Sequence, residues 1–295
     1  MSPAVSVNAF NRLQHNDEIY YAMFSPQSDA RWDGNIKKYK INDDGDILDK
    51  NDDNAINSST GYFKDTAHSY WSSAIDGKDT AAGGASGEQS TPRTVYTYTN
   101  ATAPNSAVNL NATTHKIVNS NTALTSALLN ADTADERTAL INWARGYEYK
   151  DSTTVQKKFI GDPLHSRPTV VVYGGTSASD QDTTIFFGTN EGFLHAINGD
   201  TGEEEFAFIP QRLLPNLKDY AEDTAGLKDY GLDGELTIWK NDLNNNNVIY
   251  DSTDTLETGE GVYLYTGMRR GGNSYYALDI TDRSNPKRMW PIDGG

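Results

Sequence analysis

The stretch from Asp182 to Pro210 constrains the fold more than any other part of the chain. Ile185, Phe186 and Phe187 form an apolar, aromatic run suited to a strand covered on both faces. Thr189-Asn190-Glu191-Gly192 then supplies the positive-φ position that a hairpin needs. A second run, Phe193 to Ile197, stops at Asn198-Gly199-Asp200-Thr201-Gly202, where nearly every residue favours a turn. The third run, Glu205 to Ile209, alternates with period two, placing Phe206 and Phe208 on one face and Ala207 and Ile209 on the other. Three strands this close together, joined only by tight turns, read as an antiparallel meander. One meander cannot cover both of its own faces, so the chain needs further copies of it.

Two copies are present. In Gly261 to Trp290, Tyr263 to Thr266 matches Ile185 to Phe187, Gly267 matches Gly188, and Tyr276-Ala277-Leu278-Asp279 matches His195-Ala196-Ile197-Asn198. Glu18 to Ile41 repeats the pattern with Trp32-Asp33-Gly34 as the expected turn and Asn35 to Ile41 as the outgoing strand. The fold class expected is all-β, and the architecture a β-propeller. Because the repeat is degenerate, periodicity alone leaves a solenoid or a sandwich open.

The 295 residues are enough for one large domain or two ordinary ones. A formal net charge of -16 gives no electrostatic support for binding nucleic acid or an anionic membrane surface, whereas divalent cations are attracted to such a surface. Cysteine is absent, which removes disulfides and thiolate metal sites. No apolar run is long enough to cross a membrane, so membrane insertion is not expected. The first residues lack the basic start and apolar stretch of a signal peptide, and the chain reads as a segment of something longer.

The whole chain reads as one partial propeller domain, 1–295. Blade strands are expected in 5–48, an insertion with a helix in 55–150, a second blade in 159–210, and a third in 226–290 that carries a loop at 242–251. Within the insertion, Asp76 to Pro92 reads as a surface loop, Arg93 to Thr99 as an alternating strand, and Ala123 to Leu129 as a short helix. The strong helix has Asp132 as its expected N-cap, Asp135 and Glu136 in its first turn, and Gly146 just past its end. Its apolar stripe, Leu140, Ala144 and Tyr147 with Ile141 and Trp143 alongside, is expected to pack on the rim of the sheets. Thr169 to Tyr173 and Gly226 to Lys240 are expected to provide the innermost strands of the second and third blades.

Several of these stretches together resemble the carboxy-terminal domain of the PilY1/PilC family of type IV pilus proteins. They are NRLQHNDEIYYAMFSP (Asn11 to Pro26), RWDGNIKKYKI (Arg31 to Ile41), GYFKDTAHSYWSS (Gly61 to Ser73), LINWARG (Leu140 to Gly146), GDPLHSRP (Gly161 to Pro168), FFGTNEGFLHAINGDTGEE (Phe186 to Glu204) and GMRRGGNSYYALDIT (Gly267 to Thr281). The resemblance implies a modified seven-bladed propeller of which this chain looks like roughly the first half. It also implies export through the periplasm to the cell surface or pilus tip. The expected partners are minor pilins together with host or abiotic surface receptors, and the expected work is pilus assembly, opposition to retraction, and adhesion. The Asp-x-Ser-x-Ser metal motif of the family's amino-terminal region is absent here.

One loop suggests inorganic chemistry. Asp242, Asn244 and Asn246 carry side-chain oxygens at positions 1, 3 and 5 of an EF-hand-like loop, and the Val248 carbonyl falls at position 7. Asn247 stands where Gly is usual, and Asn tolerates the left-handed conformation better than most residues. The resemblance implies Ca2+ as the cofactor and a carboxylate at position 9. Tyr250 occupies that position instead, Asp251 lies one residue late, and Thr253 stands at position 12. The expected ligands are therefore Asp242, Asn244, Asn246, Val248 and Asp251, and the plain alternative is a solvated, Asn-rich hairpin.

Other polar residues have structural readings. His195 reads as a packed or hydrogen-bonded core residue, His165 as a group that orients Asp162 or a loop carbonyl, and Arg269 and Arg270 as a solvated turn. The alternating Asn42, Asp44 and Asp46 read as a hairpin turn. The functional expectation is a non-enzymatic pilus module with a calcium loop. A fragment of a quinoprotein-dehydrogenase-like enzyme is the competing class, and the axial set of Glu, Asn and Asp around a quinone that it requires is not found.

Overall fold

The computed structural model describes residues 17–100, 107–150, 155–177, 180–224, 226, 228–250 and 255–294. In chain order the elements of the amino-terminal part are β1 (Glu18–Ser25), β2 (Asp33–Ile41), β3 (Ile47–Leu48), a one-turn α1 (Gly84–Gly87), β4 (Val95–Tyr96), β5 (Val108–Asn109), α2 (Ala134–Ala144) and β6 (Ile160–Gly161). They are followed by β7 (Thr169–Ser177), β8 (Asp180–Gly188), β9 (Leu194–Asn198), β10 (Glu204–Phe208), α3 (Leu217–Glu222), β11 (Leu236–Asn241), β12 (Gly261–Gly267), β13 (Ser274–Asp279) and β14 (Lys287–Asp293).

These strands form three sheets. The first runs β1-β2-β3 with β6 paired to β2, the second β4-β10-β9-β8-β7, and the third β11-β12-β13-β14-β5. β7 to β10 and β11 to β14 are each four consecutive antiparallel strands, the up-and-down unit of a propeller blade. The architecture is that of an incomplete β-propeller, mostly sheet, with few helices and no closed barrel among the described residues. The expected turn at Gly192 is present with φ 89°. Asp33 and Gly34, expected in a turn, already belong to β2, because β6 pairs with them and their backbone groups are taken up in a sheet.

The sheets stack by alternation of side chains. Val170, Ile185, Phe187 and Ile197 of the second sheet meet Tyr20, Ile36 and Ile160 of the first, with Trp71 and Ala85 in the same cluster. The opposite face of the second sheet places Val171, Tyr173, Phe186, Ala196, Phe206 and Phe208 in a larger core shared with Ile238, Val262, Leu264 and Leu278 of the third. A sheet buried on both faces needs apolar residues at every position. That is why Ile185, Phe186 and Phe187 follow one another without a polar break.

The region expected as an insertion is woven into the sheets. β4 adds a parallel strand to β10, and β5 adds an antiparallel strand to β14. Arg93 to Thr99 forms only this two-residue strand, and Val95, Tyr96, Thr97 and Tyr98 are all buried, so the alternation does not separate an inner from an outer face. Asp76 to Pro92 is not a surface loop. Gly83, Gly84 and Ala85 bring its backbone against β2, so close that a Cβ at Gly84 would stand 2.6 Å from the Ile36 carbonyl. Lys37, wholly buried on β2, donates to the carbonyls of Asp76 (3.1 Å) and Asp79 (2.7 Å) and pairs with the Asp76 carboxylate at 3.0 Å. Asn35 reaches the same segment through the Thr80 and Gly83 carbonyls, both at 2.9 Å.

α2 is capped by Thr133, not by Asp132. Its hydroxyl accepts the Glu136 N–H at 3.1 Å, and the Glu136 carboxylate accepts the Asp132 N–H at 2.6 Å. Leu140, Ile141, Trp143 and Ala144 are buried, and Gly146 takes φ 93° just past the end. Ala123 to Leu129 forms turns instead of a helix, because Asn121 and Thr125 offer side-chain oxygens to the nearby N–H groups of Ala123 and Leu128.

Trp71 ties the 61–73 stretch to the second sheet. Its indole N–H donates to the Gly199 carbonyl at 3.1 Å, and its ring lies against Gly202, where a Cβ would meet it at 2.6 Å. Gly202 also holds φ 77°. Gly202→Ala therefore meets both a left-handed strain and a clash with a buried ring. Urea denaturation is expected to show a loss of about 2 kcal/mol or more, whereas Gly45→Ala, where a Cβ has open space, should show only the conformational part of that loss.

Candidate functional site

The β11–β12 hairpin carries the loop singled out in the sequence. Asn241 pairs with Gly261 at the loop end of the hairpin, and the loop leaves the sheet from there. Asn245 (φ 59°) and Asn247 (φ 65°) both adopt the left-handed conformation, so the chain curls tightly. The Asp242 carboxylate accepts the Asn247 N–H at 2.8 Å, the Asn244 amide oxygen accepts the Asn246 N–H at 2.9 Å, and that of Asn246 accepts the Val248 N–H at 2.7 Å. On the outer side, the amide N–H groups of Asn244 and Asn246 donate to the two oxygens of Glu257, the latter at 2.9 Å. Asp251 lies outside the described residues.

The far end of the loop is anchored in the protein. Ile249 is fully buried, and the N–H groups of Ile249 and Tyr250 reach the Tyr173 carbonyl at the end of the neighbouring sheet, at 2.6 and 3.2 Å. Lys240 spans the same gap, donating to the Val172 carbonyl at 2.9 Å and the Asn247 carbonyl at 2.7 Å. Burial lowers its ammonium pKa, against the pull of Asp242 and Glu260. The loop is therefore a strap between the second and third sheets.

Its donor set is oxygen-rich and suits a hard cation. Asp242 has one carboxylate oxygen, Oδ1, buried without a hydrogen-bond partner, the donor type that hard cations prefer. Among the described residues no three His, Cys, Asp or Glu side chains stand together as a metal cage, so most of the donors here are amides and carbonyls.

A second polar centre lies inside the second sheet, and it is one the sequence reading did not find as a set. His195, on β9, is buried with its ring stacked on Phe187 at 4.9 Å, and its Nδ1–H donates to Glu204 on β10 at 2.6 Å. Thr189 Oγ1 stands 3.3 Å from its Nε2. Arg93 grips the same carboxylate with two N–H groups, at 2.7 and 2.9 Å, and donates a third to the Ala144 carbonyl at the end of α2, at 3.2 Å. Burial alone would raise the Glu204 pKa. The Arg93 guanidinium and the His195 hydrogen bond outweigh it and hold the carboxyl at about 2. Burial keeps the His195 pKa low, so the imidazole is neutral. Nearby, Lys157 lies over the Trp143 ring at 4.0 Å and the Phe159 ring at 4.6 Å, and burial brings its ammonium down to about 8.

The remaining single residues fall into structural roles. His165 pairs through Nδ1 with Asp233, at 2.7 Å, and not with Asp162 as expected, because the Asp162 carboxylate is already taken by Asn190 (2.8 Å) and Lys228 (2.5 Å). Arg269 and Arg270 are exposed, reaching Asp233 at 3.6 Å and the Tyr230 hydroxyl at 3.0 Å. At Asn42 the side-chain oxygen accepts the N–H groups of Asp44 and Asp46, the hairpin turn expected there. A cavity of about 1010 Å³ borders β1, lined by Tyr21, Met23, Phe24, Tyr62, Phe63 and Ile75 among others, away from both polar centres.

Comparison with known proteins gives a consistent answer. A type IV pilus biogenesis factor PilY1 homolog from Xylella fastidiosa (strain Temecula1) is 32% identical over 148 residues, covering 48% of this chain. The chain is similar to PilY1. The type IV pilus biogenesis factor PilY1 of Pseudomonas aeruginosa (strain UCBPP-PA14) is 26% identical over 175 residues, covering 52% of this chain. This chain spans only 11% and 14% of the length of those two PilY1 proteins. The crystal structure of the Pseudomonas aeruginosa PilY1 C-terminal domain matches at 26% identity and a TM-score of 0.25, over 38% of this chain and 19% of that one. No family model matches.

The buried centre sets a pH dependence. Glu204 has a folded pKa (about 2) below its usual 4.5, so its contribution is complete above pH 4.5 and is lost as pH falls toward 2. His195, also lowered, adds a loss in the same direction below its usual 6.5. Glu204→Gln is expected to cost about 3 kcal/mol or more at pH 7, because Arg93 then stays buried without its partner. Urea denaturation across pH should show a shallower acid loss between pH 4.5 and 2 in the variant than in the parent. Parallel curves would remove Glu204 from the acid transition.

Proposed function

We propose that this chain is a segment of a non-enzymatic type IV pilus biogenesis factor, exported through the periplasm to the cell surface and presented at the pilus tip. In this reading it works in adhesion and in the balance of pilus extension and retraction. The observation that carries the proposal is the sequence similarity to PilY1 proteins over about half of the chain. The names of those relatives describe biogenesis factors, not enzymes. The polar centre best suited to proton chemistry, His195 with Glu204, is also sealed inside the second sheet, which fits scaffolding better than turnover. Among the described residues no helix is long and apolar enough to cross a membrane. The proposed partners are minor pilins on one side and host or abiotic surface receptors on the other.

In the same reading the 242–251 loop binds Ca2+ through Asp242, Asn244, Asn246, the Val248 carbonyl and Asp251. The ion supplies a fixed double positive charge, and the chain's own groups curl around it. Because the loop straps the third sheet to the Tyr173 carbonyl of the second, binding to the folded state would tighten that junction. Calcium at a hundredfold excess over its dissociation constant is expected to stabilise the chain by about 2.7 kcal/mol, with a matching rise in Tm that chelator reverses and Asp242→Ala abolishes. An unchanged Tm would refute the calcium role. Deleting this segment from the gene in its native host tests the wider reading. Surface pili counted by electron microscopy should fall, and the intact gene should restore them; unaltered piliation would refute it.

A further inference from the structure

The calcium reading leaves the loop short of charge. Asp242 is its one described carboxylate, and Tyr250 and Thr253 occupy positions where an EF-hand-like loop often gains more. The return strand compensates. Since Asn241 pairs with Gly261, the next residues outward, Asp242 and Glu260, lie across the loop end of the hairpin from each other. Glu260 is only 7% exposed, and its Oε1 accepts the N–H groups of Leu243 at 2.8 Å and Asn244 at 3.3 Å. Its Oε2 is buried and has no hydrogen-bond partner, as is Oδ1 of Asp242.

Resting on the calcium reading, we infer that Glu260 is a ligand of the same ion and supplies, from outside the loop, the second carboxylate that the loop itself lacks.

Two buried carboxylate oxygens without donors, on facing residues of one hairpin, are costly unless something positive lies between them. The Lys240 ammonium is close enough for both carboxylates to act on it, but its hydrogen bonds go to the Val172 and Asn247 carbonyls and to neither carboxylate. With their Nδ2 groups bound to Glu257, Asn244 and Asn246 keep their oxygens on the loop's own backbone, on the N–H groups of Asn246 and Val248. A hard cation of six to eight oxygen ligands would then find two carboxylates and the loop's neutral oxygens together. In the site so defined Tyr250 keeps its backbone contact with Tyr173.

Calorimetric titration of the purified chain with CaCl2, alongside Glu260→Gln and Asp242→Asn, tests the assignment. Glutamine keeps an oxygen to accept the Leu243 and Asn244 N–H groups and removes the unpartnered charge, so in chelator the variant should unfold at the same urea concentration as the parent or a higher one. Its calcium affinity should fall roughly tenfold or more, as should that of Asp242→Asn. A second readout uses the parent alone: the 13Cδ resonance of Glu260 should move on addition of calcium. Calcium binding in the parent that Glu260→Gln leaves intact, or a resonance that does not move, would overturn the assignment while the calcium reading stands. A parent that binds no calcium would bring down that reading and this inference with it.

Discussion

The grip of Arg93 on Glu204 is the interaction on which the arrangement of the central sheet depends. A guanidinium and a carboxylate placed together in an apolar interior are worth keeping only if nearly all of their hydrogen-bonding capacity is used. Here much of it is: two N–H groups meet the carboxylate, a third meets the carbonyl of Ala144, and His195 donates to the same carboxylate from the neighbouring strand. The guanidinium also lies 4.8 Å from the Phe193 ring, so little of it faces an empty apolar wall. The consequence is topological. Arg93 stands just before β4, Glu204 opens β10, and Ala144 closes α2, so one buried ion pair fixes where the 93–144 region meets the second sheet. A two-residue parallel strand such as β4 would hold little on its own.

Much of the fold was legible because it rests on period-two patterns and on turns. The meander from β8 to β10, its copy from β12 to β14, and the first copy at β1 and β2 are visible in the alternation of Phe, Tyr and Ile between Gly- and Asn-rich turns. The 55–150 region was less legible for the opposite reason. Its order comes from contacts across long sequence separations, such as Lys37 with Asp76 and Asp79, or Trp71 with Gly199, and small polar residues in that region look like any surface loop. Asp76 to Pro92 reads as solvated because it is rich in Gly, Ser and Ala. Those same residues are what allow its backbone to lie flat against β2.

The candidate site divides in the same way. The tight curl from Asp242 to Val248 could be read from its turn-forming residues, and Asn247 does take the left-handed conformation that its position calls for. Glu257 and Glu260 could not be read from a loop template, since a template counts forward from Asp242 and they lie on the returning chain. The signal that would have found Glu260 is the hairpin register, because pairing Asn241 with Gly261 sets Asp242 against Glu260. Likewise His195 was legible as a core residue, but its partners Arg93 and Glu204 become a set only once β4 is placed beside β10.

Register also explains the one large apolar surface on the third sheet. Trp239 lies across from Tyr263, Thr237 across from Tyr265, Tyr265 across from Ala277, Ala277 across from Trp290, and Tyr275 across from Ile292. These residues share a face on which Trp239, Tyr275, Trp290 and Ile292 are all exposed. By the repeat, Tyr265 occupies the place that Phe186 holds in the second sheet, and Ala277 the place of Ala196, two residues sealed in the core shared with the third sheet. The outward face of the third sheet thus presents the residue types that elsewhere bind one blade to the next. Its rings pair with one another, Trp239 stacked on Tyr263 at 5.2 Å and Tyr265 tilted on Trp290 at 5.9 Å. Ring pairing of this kind covers part of the apolar area. The stacking that makes the second sheet apolar on both sides is therefore already written into the third, and it accounts for an aromatic face on a chain whose surface is otherwise strongly acidic.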